Sequence, residues 1–126
     1  MLRVLLVGVG GFLGAASRYL LTGAVHRLSG TAFPAGTLVV NVIGCLVIGA
    51  VMAMVEDRQL FGPDVRLFLV IGFLGSFTTF SAFGYETVEL LRDRQLLWGF
   101  WNAAGHLFIC LGAVIAGRAL AKTVGF

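Results

Sequence analysis

Four apolar stretches, each long enough to cross a lipid bilayer, make up most of the chain. They lie near Leu2–Leu21, Gly36–Met54, Leu67–Leu91 and Leu96–Leu120. A helix that spans the hydrocarbon core needs roughly 20 mostly apolar residues, and a bilayer offers exposed backbone no water to bond with. Little of the 126-residue chain is left over. The sequence therefore predicts an all-α integral membrane protein, with residues 1–126 forming a single four-helix transmembrane domain.

The charges are few and flank the predicted spans. Only 12% of the residues are charged and the net charge is +3, whereas soluble domains carry roughly 25% charged residues. Basic residues in this arrangement indicate membrane flanks and no nucleic-acid surface. Four spans place five basic residues on one side and four on or near the other, namely Arg3, Arg58, Arg66, Arg118 and Lys122 against Arg18, Arg27, Arg92 and Arg94.

Because the basic residues are almost equally divided, the positive-inside rule predicts no strong orientation in the membrane. We therefore predict insertion in both orientations. Four helices of this length cannot easily enclose a pathway alone, so a homodimer is expected, and dual insertion would make that dimer antiparallel.

The N-terminus has an alternative interpretation. One arginine, an apolar run and the small residues 14–17 resemble a secretory signal peptide, whose cleavage would leave three spans. The glycines in the same run favour close helix packing instead, so we prefer four spans.

The stretch GFLGSFTTFSAF, residues 72–83, places two glycines and several hydroxyls in the middle of the third span. Glycine lowers the cost of irregular backbone angles, and the hydroxyls of Thr78, Thr79 and Ser81 can weaken the helical ladder by bonding nearby carbonyls. Loosened backbone is tolerated in a bilayer only where it faces protein or a wet cavity. We predict a third helix broken near the midplane, where transporters and channels hold ions. The alternative is a continuous, tightly packed helix.

Polar side chains recur at i, i+4 and i+8 in the second and fourth spans, so that each set forms one narrow stripe along its helix. The sets are Thr37, Asn41 and Cys45, and Asn102, His106 and Cys110. A stripe can line a path, although interhelical hydrogen bonding that only holds a bundle together is the commoner role. Since both cysteines fall inside spans, we expect apolar packing and no disulfide. No metal-ligand spacing is present.

Phe80 and Phe83 share a helix face at i, i+3. Such a pair is normally core, but ring edges are electropositive and can replace part of an anion's hydration shell. The Asn41 amide and the Ser81 or Thr79 hydroxyl would supply the remaining donors.

Two charged residues have open interpretations. Arg18, near the predicted end of the first span, either extends to the interface or attracts anions at the mouth of a path. Glu86, one turn past Phe83, either faces a vestibule or marks the end of the third span.

Three motifs, in order on the first three spans, strongly resemble the Fluc/CrcB family of fluoride-exporting channels. They are GGFLGAASRY (residues 10–19), GTLVVNVIG (residues 36–44) and GFLGSFTTFSAF, followed by Glu86 and Thr87. The resemblance implies a dual-topology antiparallel homodimer in the bacterial inner membrane, with two fluoride pores and a structural Na⁺ on the two-fold axis.

The resemblance also implies roles for individual residues. Phe80, Phe83 and Asn41 match pore positions, Ser81 and Thr79 look like pore hydroxyls, and Arg18 resembles a vestibule arginine. Gly75 and Thr78 match positions whose backbone carbonyls hold sodium. The stripe of Asn102, His106 and Cys110 departs from the hydroxyl residues expected there, and Cys110 is a weak donor.

The implied mechanism is passive and needs no catalytic step. A selective pore must replace the water around a small, strongly hydrated anion with close donors and ring edges. One rival is a small dual-topology proton-coupled multidrug exporter, but the first span lacks the carboxylate that such exporters use. A non-conducting membrane assembly factor is a third possibility.

Overall fold

The computed structural model describes residues 1–124 and, at Arg58, the main chain only. The last two residues of the predicted domain and the Arg58 side chain counted among the charges lie outside this description. Helices and short connections account for the described part, which contains no strand. In chain order the elements are α1 (Leu2–Ser29), α2 (Ala35–Arg58), α3 (Pro63–Arg66), a π-helical segment (Leu67–Leu74), α4 (Gly75–Phe77), α5 (Phe80–Arg92) and α6 (Leu96–Thr123).

Within the described residues, four helical spans are long and apolar enough to cross a membrane. The third, Pro63–Arg92, comprises α3, the π-helical segment, α4 and α5. The prediction of an all-α, four-span membrane protein is confirmed.

The predicted end of the first span at Leu21 is wrong, because α1 continues to Ser29. The helix ends where Gly30 adopts left-handed angles, φ 57° and ψ 15°, and its N–H bonds the His26 carbonyl. Glycine takes this conformation at little cost. His26 and Arg27 in the last turn match the negative end of the helix dipole. The apolar pattern ends before the helix does.

Close packing of backbones holds the spans together. The most extensive contact joins α2 and α6, where Gly117 meets the Leu46 carbonyl so closely that a Cβ would overlap it. Gly14 of α1 lies equally close to the Phe73 carbonyl of the π-helical segment. Small residues allow such approach where no water drives apolar surfaces together. The packing role predicted for the glycines of the first span agrees with this arrangement at Gly10, Gly11 and Gly14, and is wrong for Gly8, which has open space around it.

Helices α2 and α6 run in the same direction, and their C-terminal ends are joined by ion pairs. Arg118 lies 2.9 Å from Glu56, and Lys122 lies 3.7 Å from Asp57. These partly exposed pairs mark one flank of the bundle, and each contributes at most about 1 kcal/mol.

Candidate functional site: a groove beside an interrupted helix

The third span loses its helical conformation at Thr78 and Thr79. Thr78 has φ −83° and ψ 159°, and Thr79 has φ −151° and ψ 118°. Both are extended, and α5 begins at the next residue. The Thr79 hydroxyl caps α5 by accepting a hydrogen bond from the Ala82 amide at 3.2 Å, as threonine commonly does at a helix start.

Asn41 of α2 holds this extended backbone in place. Its Nδ2 donates to the Thr79 carbonyl at 3.0 Å, and its Oδ1 accepts from the Thr79 amide at 2.8 Å. The Asn41 side chain is buried, with 7% exposed. It thereby replaces the helical bonds that Thr79 gives up, which matters because unpaired backbone in a bilayer costs several kcal/mol per group.

At the interruption, two backbone amides that would donate within a continuous helix instead donate hydrogen bonds to side chains. The i+4 partner of the Gly75 carbonyl is the Thr79 amide, which donates to Asn41. The i+4 partner of the Thr78 carbonyl is the Ala82 amide, which donates to the Thr79 hydroxyl. Gly75 is exposed, and both residues line a groove on the surface of the protomer. The two carbonyls predicted to hold sodium therefore lack the amide donors that a continuous helix would give them.

This groove, with a volume of about 600 Å³, lies between α2, the third span and α6. Its lining is mostly apolar and includes eight of the predicted site residues, together with Cys45. These eight are Asn41, Gly75, Thr78, Thr79, Phe80, Phe83, His106 and Cys110.

The two phenylalanines differ in exposure. Their ring centroids are 5.2 Å apart at an interplanar angle of 60°. Phe80 is 82% exposed, while Phe83 packs on His106 with centroids 4.3 Å apart. In the isolated protomer Phe80 therefore has no core to fill, whereas Phe83 is held against α6.

His106 has one ring nitrogen bonded and the other free. Its Nδ1 lies 2.9 Å from the Asn102 carbonyl, which can only accept, so Nδ1 carries the proton. In the neutral ring Nε2 is then an acceptor, and this buried atom has no partner among the described residues.

A second cavity, of about 830 Å³, lies on the other side of the interruption. Arg18, Thr37 and Glu86 line it, and Thr79 lines both this cavity and the groove. The Thr37 hydroxyl donates to Glu86 at 2.6 Å. Thr79 is thus the point where the two spaces meet.

The placement of Arg18 near the end of its span is wrong, because α1 runs three turns beyond it. Arg18 is half-buried, and its Nε donates to the Ser76 carbonyl at 3.1 Å. That carbonyl precedes the interruption and would otherwise pair with the amide at position 80. Arg18 therefore supports the interruption as well as lining the cavity.

Two predicted site residues line neither space. Ser81 is exposed and reaches only the Thr79 hydroxyl, at 3.2 Å. Asn102 is fully buried and donates to the Thr87 hydroxyl of α5 at 2.9 Å. The fourth-span stripe is thus divided between a packing residue, Asn102, and two groove residues, His106 and Cys110.

Sequence reasoning missed one contact. The thiols of Cys45 on α2 and Cys110 on α6 are neighbours where these two helices meet, and both line the groove. Each is the last member of its i, i+8 stripe, and this shared position was the available signal. The spacing shows which face each thiol occupies, but not that the two faces meet.

The fold and groove define a small multi-pass α-helical membrane protein whose third span is interrupted beside a mostly apolar groove. Residues 5–118 match the family described as CrcB-like protein, Camphor Resistance (CrcB). The chain belongs to this family, and the predicted resemblance is confirmed.

Relatives cover nearly the whole chain. It is 41% identical over 124 residues to the fluoride-specific ion channel FluC of Clostridium novyi (strain NT), covering 98% of this chain and 97% of that one. It is 44% identical over 122 residues to the fluoride-specific ion channel FluC of Geobacter sulfurreducens, covering 97% and 98%. These relatives carry the names of ion channels and not of enzymes.

Proposed function

We propose that this protein is a fluoride-selective ion channel that exports fluoride passively across a bacterial inner membrane. The observation that carries the proposal is the near full-length identity of about two residues in five to channels named fluoride-specific. The groove and cavity that meet at Thr79 supply a route of suitable chemistry.

Fluoride that enters a cell as its neutral acid ionises there. It would then leave through the protein down its electrochemical gradient.

The proposed route begins at the cavity that Arg18 lines. A guanidinium there raises the local concentration of anions. The route continues past Thr79 into the groove, where the ring edges of Phe80 and Phe83 offer positive electrostatic potential. Asn41 keeps one amide hydrogen beyond the one bonded to Thr79, and the linked hydroxyls of Thr79 and Ser81 keep one donor between them.

We propose that the working unit is an antiparallel homodimer with two pores. One side of the groove is open in the single protomer, and Phe80 projects there with most of its surface exposed. A second copy inserted in the opposite orientation would cover this side. The near-equal distribution of basic residues permits that insertion.

A structural Na⁺ is proposed at the carbonyls of Gly75 and Thr78, with the interruption near the bilayer midplane. Sodium in transporters is commonly held by carbonyls of unwound helix. These two carbonyls have lost their i+4 donors to Asn41 and to the Thr79 side chain, so the residues fit the ion. When bound, Na⁺ would supply fixed positive charge between two copies of the chain.

Fluoride efflux from liposomes containing the purified protein tests the proposal. Vesicles loaded with potassium fluoride and treated with a potassium ionophore should release fluoride within seconds to minutes, and vesicles loaded with chloride should not. Release of neither anion, with proton-driven uptake of a lipophilic cation, would instead indicate the multidrug exporter. No transport of any kind would favour an assembly factor.

A further inference from the structure

The groove contains a feature that anion conduction does not require, namely a pair of facing thiols. Cys45 and Cys110 are the only cysteines in the chain, and their thiols are neighbours across the contact between α2 and α6. Both line the groove. Cys110 is buried and Cys45 is half-buried, so the pair is in place before any ligand arrives.

The surroundings select the class of ligand. Thiolate sulfur prefers soft metal ions. No carboxylate lines the groove, and the described residues contain no cluster of three or more His, Cys, Asp or Glu suited to a metal. Ions that need four protein ligands, as structural zinc does, therefore lack partners. Two facing thiols suit a soft monovalent ion of d¹⁰ configuration, which accepts two sulfurs in a linear arrangement.

We propose that Cys45 and Cys110 form a two-coordinate site for a soft, thiophilic monovalent cation such as Ag⁺ or Cu⁺. Binding replaces two S–H bonds with two sulfur–metal bonds and releases two protons, so no oxidant or reductant is needed. The complex of one M⁺ with two thiolates carries a net charge of −1 where the thiols were neutral.

This change of charge has a consequence for transport, which rests on the proposed function. An anionic complex in the groove repels an anion that must pass it, and the metal also occupies the space between α2 and α6. Bound metal should therefore inhibit fluoride flux.

Binding is tested directly with Ag⁺ in chloride-free nitrate buffer, using the full-length protein purified in detergent under reducing conditions and then freed of reductant. We expect one Ag⁺ per chain, release of two protons per Ag⁺, and loss of reactivity of both thiols toward a thiol reagent. Cys45→Ser and Cys110→Ser each leave one sulfur ligand, so each should weaken Ag⁺ binding by roughly a hundredfold or more. The double variant, which has no thiol, measures adventitious binding.

Two results would overturn the site. In the first, the parent binds two Ag⁺ per chain and each single variant binds one Ag⁺ with the same affinity per thiol, so the thiols act independently. In the second, the parent binds Ag⁺ no more tightly than the double variant, so the thiols are not the ligands. Elution and helical circular dichroism of each variant show whether it has folded.

Fluoride efflux, with inhibition by Ag⁺ expressed relative to each variant's own flux, provides a second readout. Inhibition of the parent but not of the single variants supports a blocking site. Binding without inhibition would remove the regulatory consequence and leave the metal site. Absence of flux in every sample would count against the proposed function and not against the site.

Discussion

Replacement of Asn41 by alanine should release the extended backbone at Thr79. The substitution removes two buried hydrogen bonds, of 3.0 and 2.8 Å, to the carbonyl and the amide of one residue. A buried polar group left unpaired costs about 1–3 kcal/mol, so the two groups together are destabilised by about 2–6 kcal/mol. Without Asn41 these two groups find hydrogen-bond partners most readily when the segment opens to solvent, so the free energy of local opening falls.

Hydrogen–deuterium exchange measures this effect locally. A loss of about 2 kcal/mol in the free energy of local opening speeds exchange roughly 30-fold, so amides near residues 78–82 should exchange much faster in Asn41→Ala. Asn102→Ala is the matched control, since Asn102 is also a buried asparagine but bonds Thr87 and not the interruption. Unchanged protection of residues 78–82 in Asn41→Ala would refute the role given to Asn41.

Three further predictions follow from the packing and from the proposed assembly. Gly14→Ala should lower the thermal unfolding midpoint of the detergent-purified protein, because the new Cβ would overlap the Phe73 carbonyl at a typical cost of about 1–3 kcal/mol. Gly8→Ala is the control, since Gly8 has open space around it. Equal midpoints for the two variants would contradict the packing argument. Reporter fusions at the C-terminus should be active on both sides of the membrane, and one strong orientation would exclude dual insertion of this chain alone. Exchange of Na⁺ for a larger cation should stop fluoride flux while dimers remain intact, and full flux from protein shown to lack Na⁺ would remove the ion from the mechanism.

The spans were predictable because their cause is local. A bilayer demands about 20 apolar residues in sequence, and each of the four stretches satisfies this demand by itself. The glycines and hydroxyls of residues 72–83 predicted an interruption, and the extended backbone at Thr78 and Thr79 lies within this stretch, while its depth in the membrane stays a prediction. The end of α1 at Ser29 did not, since a helix may extend past its apolar part and stop at a cap such as Gly30.

The partners of the site residues depend on how the helices meet, and spacing along one helix does not contain that information. The i, i+4 pattern placed Asn41 on the right stripe, but not opposite Thr79. It likewise placed Asn102 with His106 and Cys110, although Asn102 turns out to bond Thr87 on α5. The π-helical segment Leu67–Leu74 had no signal in the apolar pattern, because an apolar run is compatible with either kind of helix.

The central claim is that fluoride passes along the groove beside Phe80 and Phe83. Fluoride efflux from liposomes containing Phe83→Ile tests it most directly, with Phe73→Ile as the control. Phe73 is also a partly buried ring, stacked on Phe77 with centroids 5.9 Å apart, but it does not line the groove. Isoleucine keeps an apolar side chain and removes the ring edge, so packing should lose only about 1–2 kcal/mol in either variant.

Loss of about 3 kcal/mol of anion stabilisation at the limiting barrier slows passage roughly a hundredfold. We expect that reduction in Phe83→Ile, with the dimer still eluting normally, and a much smaller one in Phe73→Ile. Efflux through Phe83→Ile and Phe80→Ile at the rate of the parent protein would contradict the claim and place the fluoride path elsewhere.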